Sequence, residues 1–134
     1  MALLPDPQLL ILDEVTTGVD PLSRLELWRM VAAAAATGTA VVAATTYLDE
    51  AERAGSVLLL HDGKLLAVGQ PDALISSLPG GIVVADIPAD RSTAWRRGRQ
   101  WHQWTADTQD DGVSPSLEDA AIVLELAASG RISS

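Results

Sequence analysis

The stretch Gln8–Pro21, QLLILDEVTTGVDP, decides how the rest of the chain is read. Four apolar residues, Leu9 to Leu12, run directly into two adjacent carboxylates, Asp13 and Glu14. A continuous apolar run of this length predicts a strand buried on both faces, as in a parallel sheet covered by helices. Such a strand delivers its last residues to the carboxyl edge of the sheet, where open α/β folds bind ligands.

Two acids side by side at that edge are costly unless something cationic or hydrogen-bonding meets them. A hydrated Mg²⁺ carried in with nucleotide phosphates is one such partner. Because successive strand residues point opposite ways, one acid could hold the metal while the other faces a water.

The chain beyond the acids supports a strand-helix-strand unit. Asp20 followed by Pro21 is a helix start, since Asp caps free N–H groups and Pro fits the first helical position. The helix is expected over Leu22 to Ala36, with Leu25, Trp28, Ala32 and Ala35 on its inner stripe and Thr37-Gly38 ending it. Thr39 to Ala44 then repeats the buried-strand signature. A right-handed crossover with parallel strands would set Thr46 on the same sheet edge as Asp13 and Glu14. Thr46 is also placed to cap a short helix, Tyr47 to Ala54, with Asp49 as its partner, and the acids of that helix read as a solvated face.

Val57 to Leu60 reads as a third buried strand, joined through an Asp62-Gly63 turn to Leu65–Val68 as a tight hairpin. A helix from Asp72 to Leu78 follows. From Pro79 the composition shifts: Ile82 to Ile87 reads as an edge strand, and Trp95 to Trp104, WRRGRQWHQW, as a small β element with Arg-Trp packing rather than a nucleic-acid surface. Pro115-Ser116 starts a last helix, Leu117 to Ala128, where Glu118 makes a Ser-x-Glu and no true capping box. His61 and His102 have no neighbouring ligand pair at a metal spacing and read as surface or packing residues.

The 134 residues carry a formal charge of -9, with 18 acidic and 9 basic side chains. An acidic surface argues against a nucleic-acid partner or an anionic membrane. Without cysteine there is neither a disulfide nor a thiolate-bound metal. No apolar run reaches the ~18 residues that span a bilayer, and the start MALLPDP lacks a signal peptide's basic and apolar regions, so the expectation is a cytosolic protein.

The order LLILDE, TTGVDP, LSRLELW, TTYLDEAERA, VLLLHDGKLLAVGQP and SLEDA resembles the Walker B strand, D-loop and switch region of an ATP-binding-cassette (ABC) ATPase, of the kind paired with ABC-2-type permeases for multidrug, lipid or polysaccharide export. The resemblance covers about Ala2 to Leu78 and resurfaces near Ser116. It implies a partial P-loop NTPase (RecA-like) α/β core with mainly parallel strands over residues 1–78, and a small α+β extension over 79–134. It implies that Asp13 holds Mg²⁺ through water, that Glu14 polarises the water attacking ATP, and that Asp20 is the D-loop aspartate at the interface with a second cassette. Thr46 stands at the switch-histidine position, where threonine has shorter reach and no imidazole chemistry, and Val15 stands where the family usually has proline.

No G-x-x-x-x-G-K-[ST] loop and no LSGG-like segment occurs in the sequence, and the single lysine is Lys64. The resemblance is therefore to the back half of a cassette. Phosphoryl transfer depends on positioning and on cations that neutralise charge, so this polypeptide alone is expected neither to bind ATP tightly nor to hydrolyse it. The implied partners are an ABC-2-type permease, which would hold the protein at the inner face of the cell membrane, and a second ATP-binding cassette, as dimer or tandem half. The other reading is a non-catalytic half-cassette that docks on a transporter and regulates it.

Overall fold

The apolar runs and turn signals above resolve, in the computed structural model, into a mixed α/β chain; residues 7–107 and 112–132 are described. The elements are β1 (Leu9–Asp13), α1 (Pro21–Ala36), β2 (Ala40–Ala44), α2 (Leu48–Ala51), β3 (Val57–His61), β4 (Lys64–Gly69), α3 (Pro71–Ser76), β5 (Gly81–Ala85), β6 (Ala94–Arg97), β7 (Gln100–Thr105) and α4 (Leu117–Ala128), with a 3-10 turn at Arg91–Thr93. Packing divides the chain into two compact units, Met1–Tyr47 and Leu48–Ser134.

The first unit is the strand-helix-strand. β1 and β2 pair in parallel, Leu9 opposite Ala40 and Asp13 opposite Ala44. Asp20 caps α1 by accepting the Leu22 and Ser23 amides, both at 3.1 Å, and Pro21 follows at the first helical position. Thr37 is the C-cap, and Gly38 turns the chain back at φ 100°. α1 buries Val31, with Leu27, Trp28 and Ala34 half-buried beside it, while Leu25, Ala32 and Ala35 are exposed. The expected stripe is thus rotated by part of a turn. The alanine run makes α1 apolar on every side, so periodicity carries little information about its inner face.

The expectation that β1 is buried on both faces is corrected by the same unit. Leu12 is buried and Leu10 half-buried, but Leu9 is 52% and Ile11 70% exposed, as is their neighbour Val42 at 58%. Strand alternation puts Leu9, Ile11 and Asp13 with Ala40, Val42 and Ala44 on one open face.

In the second unit all strand pairs are antiparallel, so parallel pairing among the described residues is confined to β1 and β2. β3 and β4 form a hairpin with a bulge at Leu59/Leu60, closed by Asp62 and Gly63 at φ 48° and 72°, the conformation an Asp-Gly turn favours. Its inner residues Val57 and Leu59 join Leu74, Leu117 and Ala120 in one core cluster. Its outer residues Leu58, Leu60, Leu65 and Val68 are all more than half exposed.

A three-stranded sheet in the order β5-β7-β6 packs Ile82 against Val123, Leu126 and Ile132. β5 is an edge strand, as expected, but ends at Ala85. Gly80 lets the chain pass close to β7: a Cβ there would stand 2.1 Å from the Thr105 carbonyl oxygen, and the Trp104 indole donates to the Pro79 carbonyl at 2.7 Å. Leu78 packs against both core clusters, so α3 and the sheet share a continuous interior.

Candidate functional site

The carboxyl ends of β1 and β2 bring the acids and the threonine pair to one edge. Asp13 closes β1 opposite Ala44, and the next amide, that of Glu14, donates to the Ala44 carbonyl at 2.9 Å. Thr45 and Thr46 follow Ala44 directly. Asp13, Glu14 and Thr46 are all exposed.

Glu14 has φ 43°, in the left-handed region that costs a non-glycine residue about 1–2 kcal/mol. This breaks strand alternation immediately after Asp13. The carboxylate accepts a long bond from the Thr17 hydroxyl at 3.4 Å, and the loop is tightened by the Thr17 amide on the Glu14 carbonyl and the Val19 amide on that of Thr16, each at 3.1 Å. Thr16 lies beneath, 3% exposed, its hydroxyl without a hydrogen-bond partner among the described residues. Asp20 ends the loop as the cap of α1; bonding from Ser23, side chain first and then amide, holds its carboxyl below the ordinary 3.8 against a smaller opposing effect of burial, with the Leu22 amide assisting.

At the second strand end the structure redistributes the expected roles. The Thr45 hydroxyl, not that of Thr46, accepts the Tyr47 amide at 3.1 Å, and α2 begins only at Leu48. Thr46 is therefore not the cap of this helix. Arg24 stacks over the Tyr47 ring at 4.7 Å, bringing a guanidinium from α1 beside the residue after Thr46. That contact joins positions far apart in sequence and gave no local signal. α2 is a single turn, and its acids are not a uniformly solvated face: Glu50 is 2% exposed, and Glu52 accepts the Leu117 amide at 3.2 Å, at the start of α4.

A highly connected carboxylate lies elsewhere. Asp119, fully buried, receives the Trp95 indole at 3.1 Å, Arg97 at 3.0 Å, and the Ser116 amide and hydroxyl at 2.9 Å each. His102 Nδ1 faces its Oδ1 at 3.0 Å. An ionised carboxylate only accepts, so the imidazole carries a proton on that nitrogen. Burial pushes the Asp119 carboxyl up, but the Ser116 amide and hydroxyl, the Trp95 indole and the charge of His102 together hold it below 3.8. Ser116 and Asp119 form a true capping box for α4, which corrects the Ser-x-Glu reading. The signal was present in the spacing, Ser-x-x-Asp. His102 is a packing residue in this cluster, whereas His61 is exposed, 3.6 Å from Glu125.

The donor set at the strand edge consists of carboxylates and hydroxyls, which suits a hydrated divalent cation of the hard, oxygen-seeking kind. Among the described residues no cluster of three or more His, Cys, Asp or Glu forms a closed metal cage. No helix among them is long and apolar enough to cross a membrane.

No family model matches the chain. Among curated proteins, a probable multidrug ABC transporter ATP-binding protein YbhF of Escherichia coli (strain K12) is 47% identical over 78 residues, covering 58% of this chain and 14% of that protein. The daunorubicin resistance ATP-binding protein DrrA2 of Streptomyces coeruleorubidus is 41% identical over 87 residues, 64% of this chain and 27% of the relative. Nod factor export ATP-binding protein I of Neorhizobium galegae is 40% identical over 84 residues, 62% and 24% respectively. The chain therefore spans less than a third of the length of each. Its curated homologues are ATP-binding proteins of ABC transporters, and the likeness covers only part of their length.

Proposed function

We propose that the chain supplies the Walker B, D-loop and switch part of an ABC-2-type export cassette, with residues 1–78 the back part of a RecA-like nucleotide-binding domain and 79–134 an accessory extension. The observation that carries this reading is the meeting of Asp13, Glu14 and the Thr45-Thr46 pair at one edge of a parallel strand pair. Similarity to ATP-binding proteins adds ATP as the cofactor, and the oxygen donors of the strand edge suit Mg²⁺ carried with it.

On this reading Asp13, at the end of the open strand face, holds a water-bound Mg²⁺, which when bound with ATP neutralises charge on the phosphates. Glu14, turned out of the strand by its positive φ, orients a water and takes up its proton. Thr46, at the switch position, offers one hydroxyl hydrogen bond. Asp20 holds the D-loop at the interface with a second cassette, and an ABC-2-type permease anchors the assembly to the inner face of the cell membrane.

The residues fit the cation but not a triphosphate. No glycine-rich cradle is present in the sequence, and Lys64 opens β4 in the other unit. Isolated carboxylates repel phosphate, so the polypeptide alone is inactive in ATP hydrolysis. The open apolar faces, Leu9, Ile11 and Val42 on one sheet and Leu58, Leu60, Leu65 and Val68 on the other, support a half-cassette that is completed by further protein. They equally favour the second reading, a non-catalytic module docked on a transporter.

Steady-state ATP hydrolysis separates the two. The chain alone should show no Mg²⁺-dependent turnover. Mixed with a separately expressed phosphate-loop half of a related cassette it should gain turnover, which Glu14→Gln lowers by about a hundredfold or more. Turnover by the lone chain that disappears in Glu14→Gln would refute the inactive-half reading. A complex that hydrolyses ATP regardless of Glu14 would refute the catalytic one.

A further inference from the structure

We propose that the outer face of the β5-β7-β6 sheet is a docking surface for an Asp/Glu-rich segment of a partner protein. Four of the chain's nine basic residues, Arg91, Arg96, Arg97 and Arg99, fall within this short stretch of an otherwise acidic sequence. Arg97 is used internally, on Asp119. The other three have no carboxylate partner among the described residues. Asp90, the neighbouring acid, is turned onto the Ser92 amide and hydroxyl at 2.8 and 2.7 Å.

Arg96 and Arg91 both lie over the Trp101 ring within cation–π range, with guanidinium carbons 5.4 and 5.9 Å from the ring centre. Arg96 lies directly across from Trp101 in the strand register, on the face opposite the buried His102 and the half-buried Trp95. Arg91 reaches the ring from the β5–β6 connection, whose Ala89 amide is fixed to the Gln103 side chain at 2.8 Å. In the same connection Ile87 is 82% exposed, the most exposed large apolar residue among the described residues.

A cation–π contact holds a guanidinium near the ring without consuming its N–H donors, which stay available to carboxylates. Two guanidinium groups within cation–π range of one indole, beside an exposed aliphatic side chain, have the composition of an interface hot spot, in which Trp and Arg are enriched. Charge selects the occupant. A chain of net charge -9 repels an acidic segment over most of its surface and accepts it here, so the same charge pattern that attracts the segment also fixes where it docks.

The test is fluorescence anisotropy of a labelled Gly-Ser-flanked hexaglutamate peptide titrated with the full chain. We expect saturable binding that weakens about tenfold between 50 and 300 mM salt. Binding should fall about tenfold or more in the Arg91→Gln/Arg96→Gln double variant, and severalfold in Ile87→Ser, whose exposure spares the fold. Arg53→Gln, in the turn after α2, should leave it unchanged. A hexalysine peptide should not bind. Absence of binding at millimolar peptide, or binding indifferent to both Arg91→Gln/Arg96→Gln and Ile87→Ser, would overturn the proposal. So would tighter retention on phosphatidylserine vesicles or on a single-stranded oligonucleotide than on the peptide.

Discussion

Replacing Asp119 by alanine tests the packing of the second unit at its most connected point. Both indole and imidazole donors, Trp95 Nε1 and His102 Nδ1, would lose their acceptor within a buried site, at about 1–3 kcal/mol for each unsatisfied group. Loss of the capping box on α4 adds about 1 kcal/mol. Arg97 contributes little, because its side chain is 44% exposed and Glu118 lies within 3.9 Å to receive it. The expected loss is about 3–7 kcal/mol, its lower part in the range for breaking other buried charge pairs. For a unit of this size that lowers Tm by about 15 °C or more. Thermal melts followed by near-UV circular dichroism, which reports the tryptophans of this cluster, give the measurement.

Asp119→Asn keeps the shape and one acceptor oxygen but presents an amide NH₂ to donors, and should cost less, about 2 kcal/mol. The pH dependence carries an independent sign. The folded Asp119 carboxyl lies below 3.8, so its ionised form stabilises the fold above that pH, and this contribution is lost as pH falls through the folded value. The gap between wild type and Asp119→Asn should therefore narrow below pH 3.8. An Asp119→Ala variant within about 4 °C of wild type, or a gap that widens in acid, would refute the assignment of Asp119 as the ionised tie between sheet and helix.

Two further outcomes concern the strand-edge loop. Asp20→Ala removes the oxygen that accepts the Leu22 and Ser23 amides and should lower the Tm of the first unit by about 4–8 °C, with Asp20→Asn close to wild type; equal effects of the two would exclude a capping role. Glu14→Gly relieves a left-handed backbone and should raise stability by about 1 kcal/mol in denaturant titrations, whereas a loss would show that Glu14 contacts outweigh the backbone strain.

What could be read from the sequence was mostly local. Asp20-Pro21 marked the start of α1, Asp62-Gly63 the hairpin turn, and Ser116 the start of α4, because each acts on backbone groups a few residues away. The bounds of α4 came out residue for residue. The inner face of α1 did not, since a helix of Leu, Trp, Met, Val and a run of alanines has no polar side to orient it. Burial of β1 was over-read for a different reason. An apolar run states that a strand can be covered on both faces, whereas covering Leu9 and Ile11 requires other elements that the run does not encode. The Asp119 cluster depends on Trp95, Arg97 and His102 converging from 17–24 residues away, through two strand registers. No short motif announces it.

The similarity to ABC transporter subunits and the local geometry meet at Glu14. A strand continued through Glu14 would have placed the acids on opposite faces of the sheet, Asp13 with Ile11 and Glu14 with Leu12 above the helix-covered side. The positive φ prevents this and turns the second carboxylate into the loop after β1, where the Thr17 hydroxyl lies 3.4 Å away. The left-handed backbone at Glu14 is held in place by the hydrogen bond from its amide to the Ala44 carbonyl of the neighbouring strand. Valine after it rather than proline leaves a backbone N–H at that position. The conformation of Glu14 therefore rests on the strand ends and the turn that follows, both of which lie within this chain.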